Sequence, residues 1–297
     1  MLFWGMSFIW TKDLLNAGFS PIIIITLRVL ISAILLYVIF KIAGKLDKID
    51  RKDYKLFMAL AFFEPFIYFF GENWGLQYLD PSIGSVIIST IPVFVPFGLY
   101  FFHKEALHWQ LIIGVFLTII GLFIISISPN AAFNVSGKGI LLMFLAVFSA
   151  SGYSVVLYKV VKKYEPITIT TTQNIIGSIY YLPFFFAFEM KTIKTLTFNF
   201  DTLYPLFALA ILCSSIAFIC YSYSAKRLTI PKTSVFTNAV PIVTILFAVL
   251  LGKEVLTLNK VIGMLVVLLG VFLSQINFKR KNYESKSWIS AIKLHKR

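Results

Sequence analysis

Long apolar runs separated by short polar segments dominate the chain, and this pattern predicts a series of membrane-spanning helices. Such a helix needs about 20 predominantly apolar residues. Ten runs meet or approach that length, at residues 1–16, 21–40, 55–75, 82–102, 109–128, 138–158, 167–188, 203–224, 232–251 and 260–277. The connections are short except at residues 41–55 and 190–201. The pattern predicts an all-α integral membrane protein with ten transmembrane helices.

One segment of this pattern, Leu79 to Phe123, occurs twice. Shifted by 149 positions, it aligns without a gap with Leu228 to Phe272. The alignment rests on identities such as Ser85 with Ser234, Pro92 with Pro241, Lys104-Glu105 with Lys253-Glu254, Gly114 with Gly263 and Gly121 with Gly270. The shift contains five spans, an odd number, so the second copy crosses the membrane in the opposite sense. Inverted repeats of this kind are typical of transporters, with a substrate site near the midplane between the halves.

The start of each repeat corresponds less strictly. Gly5-Met6-Ser7 resembles Gly152-Tyr153-Ser154, and after a shift of two positions Pro21 falls on Pro166. The sequence therefore predicts two inverted five-helix repeats, at residues 1–128 and 138–277, followed by a basic tail at 278–297.

Composition supports a membrane protein. Of 297 residues, 59% are apolar and 13% charged, with a mean hydropathy of +0.86. A soluble domain carries about 25% charged and 45–50% apolar residues. Cys213 and Cys220 lie seven residues apart in one predicted helix, too far for a disulfide, and are most simply small apolar residues. We expect no cofactor.

The positions of Lys and Arg predict the orientation. With the N-terminus inside, 20 of these residues fall on inner connections and the tail, six fall on outer connections, and Arg28 lies within a span. By the positive-inside rule, we expect both termini to lie in the cytoplasm. We expect the protein itself to lie in the inner (plasma) membrane of the cell. The net charge of +14 accompanies no nucleic-acid-binding motif, so we expect membrane lipid and no nucleic acid as partner.

Glu64 and Pro65 interrupt the third predicted span near its middle. An ionised carboxylate there costs several kcal/mol unless it is hydrated or paired. This position favours a proton carrier or a substrate contact, and Pro65 permits a hinge because it removes a backbone hydrogen bond. The alternative is a Glu that bonds a neighbouring helix purely for packing.

Glu72 and Asn73 lie about two turns further along the same span. Glu72 is rotated from Glu64 by about 80° around the helix, so both can edge one cavity. A solvated Glu near the helix end is the alternative. Arg28, in the second span, can pair with either carboxylate or bind an anionic group of the substrate.

Further polar and aromatic side chains are candidates for the same cavity. Gln173 and Asn174 form a polar step in the seventh span, for which hydrogen bonding between helices is an equal alternative. Asn238 stands just before Pro241, and Trp4 and Tyr68 are candidate lining aromatics.

Pro92 and Pro241 fall near the middle of their spans at equivalent places in the two repeats. Interrupted helices at corresponding positions point to the binding site of a transporter. We therefore assign them as candidate hinges, although prolines are also tolerated in membrane helices for packing alone.

These features resemble the drug/metabolite transporter superfamily, specifically its EamA-domain members. The resemblance rests on Trp4-Gly5, Arg28, the small-residue-rich sixth span, and the two prolyl spans that are each followed by a Lys-Glu turn and a Gly-x6-Gly span. It covers nearly the whole chain and implies export of amino acids, nucleobases, sugars or drug-like compounds. The departure is in the third span, where Glu64-Pro65 and Glu72-Asn73 replace the small and apolar residues usual in the family.

The sequence thus predicts a secondary transporter that exports a small organic metabolite by alternating access, with protons as a candidate coupling ion. No nucleotide-binding motif is present, so ATP is not the direct driver. A membrane-embedded enzyme is one alternative, but the three His form no metal or nucleophile motif. A passive channel or facilitator is the other.

Overall fold

The computed structural model describes residues 1–104, 109–126, 135–228 and 230–275, and these residues form helices and connecting turns without a strand. Some predicted features lie outside the described residues. They are Glu105, residues 106–108 of the connection before the fifth predicted span, and the basic tail at 278–297.

The α-helices follow the predicted apolar runs closely. They are α1 (Leu2–Asn16), α2 (Pro21–Ile42), α3 (Tyr54–Ala61), α4 (Tyr68–Tyr78), α5 (Pro81–Ile88), α6 (Ile91–His103), α7 (Gln110–Ser126), α8 (Gly137–Val160), α9 (Pro166–Phe184), α10 (Phe200–Ala208), α11 (Phe218–Leu228), α12 (Ile230–Ser234), α13 (Ala239–Leu250) and α14 (Leu258–Gln275). π-helical segments join α3 to α4 (Phe62–Ile67) and α10 to α11 (Leu209–Ala217), and another follows α9 (Phe185–Glu189). Short 3₁₀ segments lie at Arg51–Asp53, Thr192–Thr195 and Val235–Asn238.

Six helical runs of the described chain are long and apolar enough to cross a membrane. They are Pro21–Ile42, Arg51–Tyr78, Pro81–His103, Gly137–Val160, Phe200–Leu228 and Lys232–Leu250. Two shorter apolar helices lie at Gln110–Ile124 and Leu258–Ser274. The predicted membrane character of the chain is therefore confirmed.

The contacts between helices have a two-fold pattern. α1 packs on α13, as α8 packs on α6, and α3 packs on α8, as α10 packs on α1. Equivalent helices also pack on each other, α2 on α9 and α7 on α14. Exchanging the first five predicted spans for the last five therefore leaves this set of contacts unchanged.

Glycines bring α7 and α14 into backbone contact. A Cβ placed on Gly121 would lie 2.7 Å from the carbonyl oxygen of Gly263, and one on Gly114 would lie 2.9 Å from that of Gly270. Small residues allow such close approach, on which helix association in lipid depends. The four glycines of the repeated Gly-x6-Gly pattern thus form one interface.

Proline explains where the prolyl spans are interrupted. α5 ends at Ile88, the turn at Ser89–Thr90 follows, and Pro92 is the second residue of α6. In the second copy, Pro241 is the third residue of α13, which follows a 3₁₀ segment. Because proline has no N–H, it cannot bond the carbonyl four residues earlier, and each α-helix is broken within that interval.

Polar ties connect the two halves at the ends of the helices. Lys253 Nζ lies 2.5 Å from Asp13 Oδ2, and Glu254 Oε1 accepts a hydrogen bond from Ser82 N at 2.9 Å. Glu254 thus satisfies a free N–H in the first turn of α5. The repeated Lys-Glu turn therefore serves, in its second copy, to join the repeats.

Candidate functional site

The third predicted span is broken at Glu64. This residue has φ −145° and ψ 118°, an extended backbone between α3 and α4, and the Glu64–Pro65 peptide bond is cis. Glycines on neighbouring helices accept the irregular segment: a Cβ on Gly177 would lie 2.3 Å from Pro65 Cγ, and one on Gly152 would lie 2.5 Å from the ring of Phe63. The packing of α8 and α9 therefore leaves space for the break, because their glycines contact Phe63 and Pro65.

Hydroxyl groups of α8 and α9 donate to two carbonyls of the irregular segment. Ser149 Oγ donates to Phe63 O at 2.6 Å, and Tyr181 Oη donates to Phe66 O at 2.5 Å. Irregular backbone at membrane depth is tolerated only where protein or water satisfies its polar groups. The Glu64 side chain, 7% exposed, lies at a small cavity beside this break.

A buried charged cluster adjoins Glu64. Arg28 Nη1 lies 4.0 Å from Glu72 Oε2, its Nε donates to Ser214 Oγ at 3.0 Å, and its guanidinium carbon lies 4.1 Å from the centre of the Phe69 ring. Tyr68 Oη donates to Glu72 Oε1 at 3.3 Å. The cluster thus places one cation against one carboxylate and leaves the second carboxylate, Glu64, nearby.

Glu64 itself differs from Glu72 in its surroundings. In the part of the chain that the structure describes, its carboxylate makes no hydrogen bond and no ion pair. Arg28 Nη1 also has no hydrogen-bond partner among these residues. Glu64 is therefore an acceptor at the cavity wall without a protein partner, and Arg28 Nη1 is a buried donor that only Glu72 faces, at 4.0 Å.

The cavity lies between the two halves and has a volume of about 50 Å³, enough for a few water molecules. Equivalent positions of the repeats form much of its wall. At the spacing of 149 residues the pairs are Phe69 with Phe218, Glu72 with Tyr221, Ile88 with Thr237 and Ile91 with Val240, and at the spacing of 147 the pair is Ser7 with Ser154. The two-fold pattern of the fold therefore continues into the cavity.

The two halves contribute different chemistry at these equivalent positions. Glu64 corresponds to Cys213 and Glu72 to Tyr221, while the Pro21–Pro166 register relates Arg28 to Gln173. The charged groups at the cavity wall thus all come from the first half. The second half contributes aromatic rings: Trp4 meets Phe218 edge-on at 5.2 Å and Tyr221 at 5.3 Å.

The structure brings five of the sequence candidates together at this cavity: Trp4, Arg28, Glu64, Tyr68 and Glu72. Of the two carboxylates with which the sequence allows Arg28 to pair, the structure places Glu72 against it. The two interrupted prolyl spans also reach the wall, through Ile88 and Thr237, the residues whose carbonyls Pro92 and Pro241 cannot bond.

Four other candidates lie outside the lining in this conformation. Asn73 Nδ2 donates to Phe69 O at 3.0 Å on its own helix, and Gln173 accepts a hydrogen bond from Tyr153 Oη at 3.1 Å. Asn174 Nδ2 bonds Ser32 Oγ and Ser214 O, at 2.7 and 2.8 Å, and so links α2, α9 and the α10–α11 segment. Asn238 is half-buried in the turn before α13, and its Oδ1 has no partner among the described residues.

Several lining residues were not selected from the sequence. Ser7, Tyr153, Ser154, Phe218 and Tyr221 border the cavity, but hydroxyl and aromatic side chains are frequent in this chain. The alignment of the two repeats could have identified one of them, because Tyr221 occupies the position equivalent to Glu72. Among the described residues no group of three or more His, Cys, Asp or Glu could hold a metal ion.

Known proteins are similar to this chain in sequence and fold. The EamA-like transporter family matches residues 1–127 and again 137–276. An uncharacterized transporter of Archaeoglobus fulgidus is 31% identical over 91% of this chain and 94% of its own, and the uncharacterized transporter YoaV of Bacillus subtilis is 23% identical over 94% and 95%. A solved crystal structure shares the fold at 15% identity, with a TM-score of 0.67 over 93% of this chain and 97% of that one. The chain therefore belongs to the EamA-like transporter family.

Proposed function

We propose that this membrane transporter is a secondary carrier that exports a small organic metabolite by alternating access, with protons coupled at Glu64. The observation that carries the proposal is the central cavity, where equivalent positions of two repeats meet around a buried carboxylate. Inverted repeats that surround a midplane site permit the same motion in mirror image, so that the site opens first to one face and then to the other.

The proposed topology has ten transmembrane helices in two inverted repeats, residues 1–128 and 138–277, followed by a tail at 278–297. The two family matches and the two-fold contact pattern support this division. The excess of Lys and Arg on alternate connections supports cytoplasmic termini and a location in the plasma membrane.

The proposed coupling role rests on the surroundings of Glu64. An ionised carboxylate inside a membrane protein requires a partner, and Arg28 is already placed against Glu72. Glu64 is therefore the group best placed to exchange a proton for a bound substrate. Residues at the same wall, among them Tyr68, Trp4 and Arg28, would contact the substrate.

The proposed substrate class is a small amino acid, nucleobase or drug-like compound. Aromatic rings from both halves supply apolar surface, whereas Arg28 and Glu64 supply one donor and one acceptor. A few polar groups in an aromatic cavity are typical of small-molecule sites. Because the cavity is small in this conformation, we propose that α1, α4, α8 and α11 separate when the substrate binds.

The function is testable in proteoliposomes loaded with a mixture of metabolites, with and without an imposed pH gradient. We expect one compound class to leave faster than from protein-free liposomes, and faster still with the gradient. Glu64→Gln should abolish the effect of the gradient. Glu165→Gln is the matched control, since Glu165 is exposed and pairs with Lys226 far from the cavity.

Other outcomes would assign other functions. Release that ignores both the gradient and Glu64→Gln would indicate a passive facilitator and remove the coupling role. Chemical conversion of a metabolite, detected by mass spectrometry, would indicate an enzyme. Release of no compound from any mixture would contradict transport of this substrate class.

The topology has a separate test. In a variant without Cys213 and Cys220, single cysteines at Lys48 and Lys138 can be labelled in intact cells with a membrane-impermeant maleimide. We expect labelling at Lys138→Cys and protection at Lys48→Cys until the membrane is permeabilised. The reverse pattern would contradict cytoplasmic termini.

A further inference from the structure

The segment between α2 and α3 separates its charges onto two sides. Its three carboxylates all face the start of α9: Asp47 Oδ2 accepts from Glu165 N at 2.6 Å, and Asp50 and Asp53 both accept from Lys163 Nζ. These bonds fix the segment against α9. They also give each of the three carboxylates a hydrogen-bond donor outside the segment.

Three bases, one from the end of α2 and two from the segment, line a groove of about 610 Å³ between α2, the segment and α9, which we name the α2–α9 groove. They are Lys41, Lys48 and Arg51, all exposed. Within the described residues none of the three makes an ion pair or a side-chain hydrogen bond. Asp47 also borders the groove, and its carboxylate accepts a hydrogen bond from Glu165 N. Three bases against this one carboxylate leave the groove with a net positive charge.

The groove joins this positive pocket to an apolar surface. Tyr37 and Phe40, from the last turns of α2, form its membrane side, and Tyr37 is 45% exposed. The neighbouring Ile34 and Val38 are also exposed, so the apolar wall continues along α2. On the opposite wall, Thr171 is buried and its hydroxyl has no hydrogen-bond partner among the described residues.

We infer that the α2–α9 groove binds an anionic phospholipid. Lys41, Lys48 and Arg51 surround the phosphate of the headgroup, and one acyl chain lies along Tyr37 and Phe40. Arg and Lys donate charge-assisted hydrogen bonds to phosphate, and basic pockets between membrane helices bind anionic headgroups. A soluble anion would use the bases but not the apolar wall, so the combination favours a lipid. This site shares no lining residue with the central cavity and does not depend on the proposed transport activity.

The chain offers a matched pair of triple variants. Lys41→Gln, Lys48→Gln and Arg51→Gln together remove the bases of the groove. Lys45→Gln, Lys52→Gln and Lys55→Gln remove the same charge from the segment and the first turn of α3, at exposed residues that do not line the groove. Native mass spectrometry of the purified protein, titrated with phosphatidylglycerol or phosphatidylcholine, measures binding to each.

We expect the wild type and the Lys45 set to bind phosphatidylglycerol in preference to phosphatidylcholine. The Lys41 set should bind phosphatidylglycerol at least about tenfold more weakly, since it loses all three basic contacts to the phosphate. Equal loss in both sets, or no loss in either, would overturn the site. If the Lys41 set does not fold, Lys48→Glu alone provides the same comparison against Lys52→Glu.

Competition with inorganic phosphate and with glycerol phosphate distinguishes a lipid site from a site for a soluble phosphate. At the concentration that saturates with phosphatidylglycerol, neither should displace the lipid or raise the unfolding temperature. Displacement by inorganic phosphate at that concentration would overturn the lipid assignment and indicate a site for a soluble phosphate.

Discussion

Arg28 Nη1 lies 4.0 Å from Glu72 Oε2, and both side chains are buried. Removing one partner of a buried ion pair leaves an uncompensated charge and typically costs about 3–5 kcal/mol. We therefore expect Arg28→Gln and Glu72→Gln each to destabilise the protein, and the double variant to lose clearly less than the sum of the two. Thermal unfolding in detergent measures all four proteins. Additive losses would show that the two residues are not coupled.

The glycine interface between α7 and α14 predicts a steric effect. A Cβ on Gly121 meets backbone atoms of the partner helix, whereas one on Gly137 meets nothing within 4 Å. Gly121→Ala should destabilise the protein by about 1–3 kcal/mol, as overpacked cores do. Gly137→Ala, at the start of α8, should not. Equal unfolding temperatures for the two variants would contradict this interface.

The interrupted spans predict a kinetic effect. Pro92→Ala and Pro241→Ala restore the backbone donors that the breaks lack, so α-helix can extend through Ser89–Thr90 and through Thr237. If these breaks are hinges, each variant should transport roughly tenfold more slowly while its unfolding temperature changes little. Pro166→Ala, at the first residue of α9, is the control. Unaltered initial rates in both variants would reject the hinge role.

Glu254 predicts a pH dependence of stability. Burial at the end of α13 raises its pKa, against the opposing effect of the hydrogen bond from Ser82. Because the folded-state pKa lies above the unfolded one, this group's contribution to stability is present below about pH 4 and is lost as pH rises through the folded-state value.

Glu254→Gln keeps an acceptor for Ser82 N and removes the titration. Its unfolding temperature should therefore fall less than that of the wild type between pH 4 and pH 7. Glu165→Gln should follow the wild type. If the unfolding temperature of Glu254→Gln changes with pH as that of the wild type does, ionisation of the buried Glu254 carboxylate does not lower the stability of the protein.

The helices could be predicted from the sequence to within a few residues because a membrane segment must be apolar over a length that the bilayer fixes. The boundaries of α2 and α8 illustrate this. The extended backbone at Glu64 could not be predicted: Pro65 indicated a kink, but its form depends on the glycines of α8 and α9 that accept it.

The candidate site was partly visible in the sequence for a related reason. Arg28, Glu64 and Glu72 are conspicuous because charge is rare inside a span, and they lie at one cavity. Neutral polar residues carry no such signal. Gln173 and Asn174 are adjacent in sequence, yet helix rotation directs one toward Tyr153 and the other toward Ser32.

Cysteine accessibility of Ser7 and Ser154 most directly tests alternating access through the central cavity. These residues are equivalent in the two repeats and both line the cavity. In a variant without native cysteines, we expect Ser7→Cys and Ser154→Cys each to react with an impermeant thiol reagent applied from either side of the membrane. Ser32→Cys, buried between α2 and α9, should react from neither. Labelling of both cavity positions from one side only would contradict alternating access.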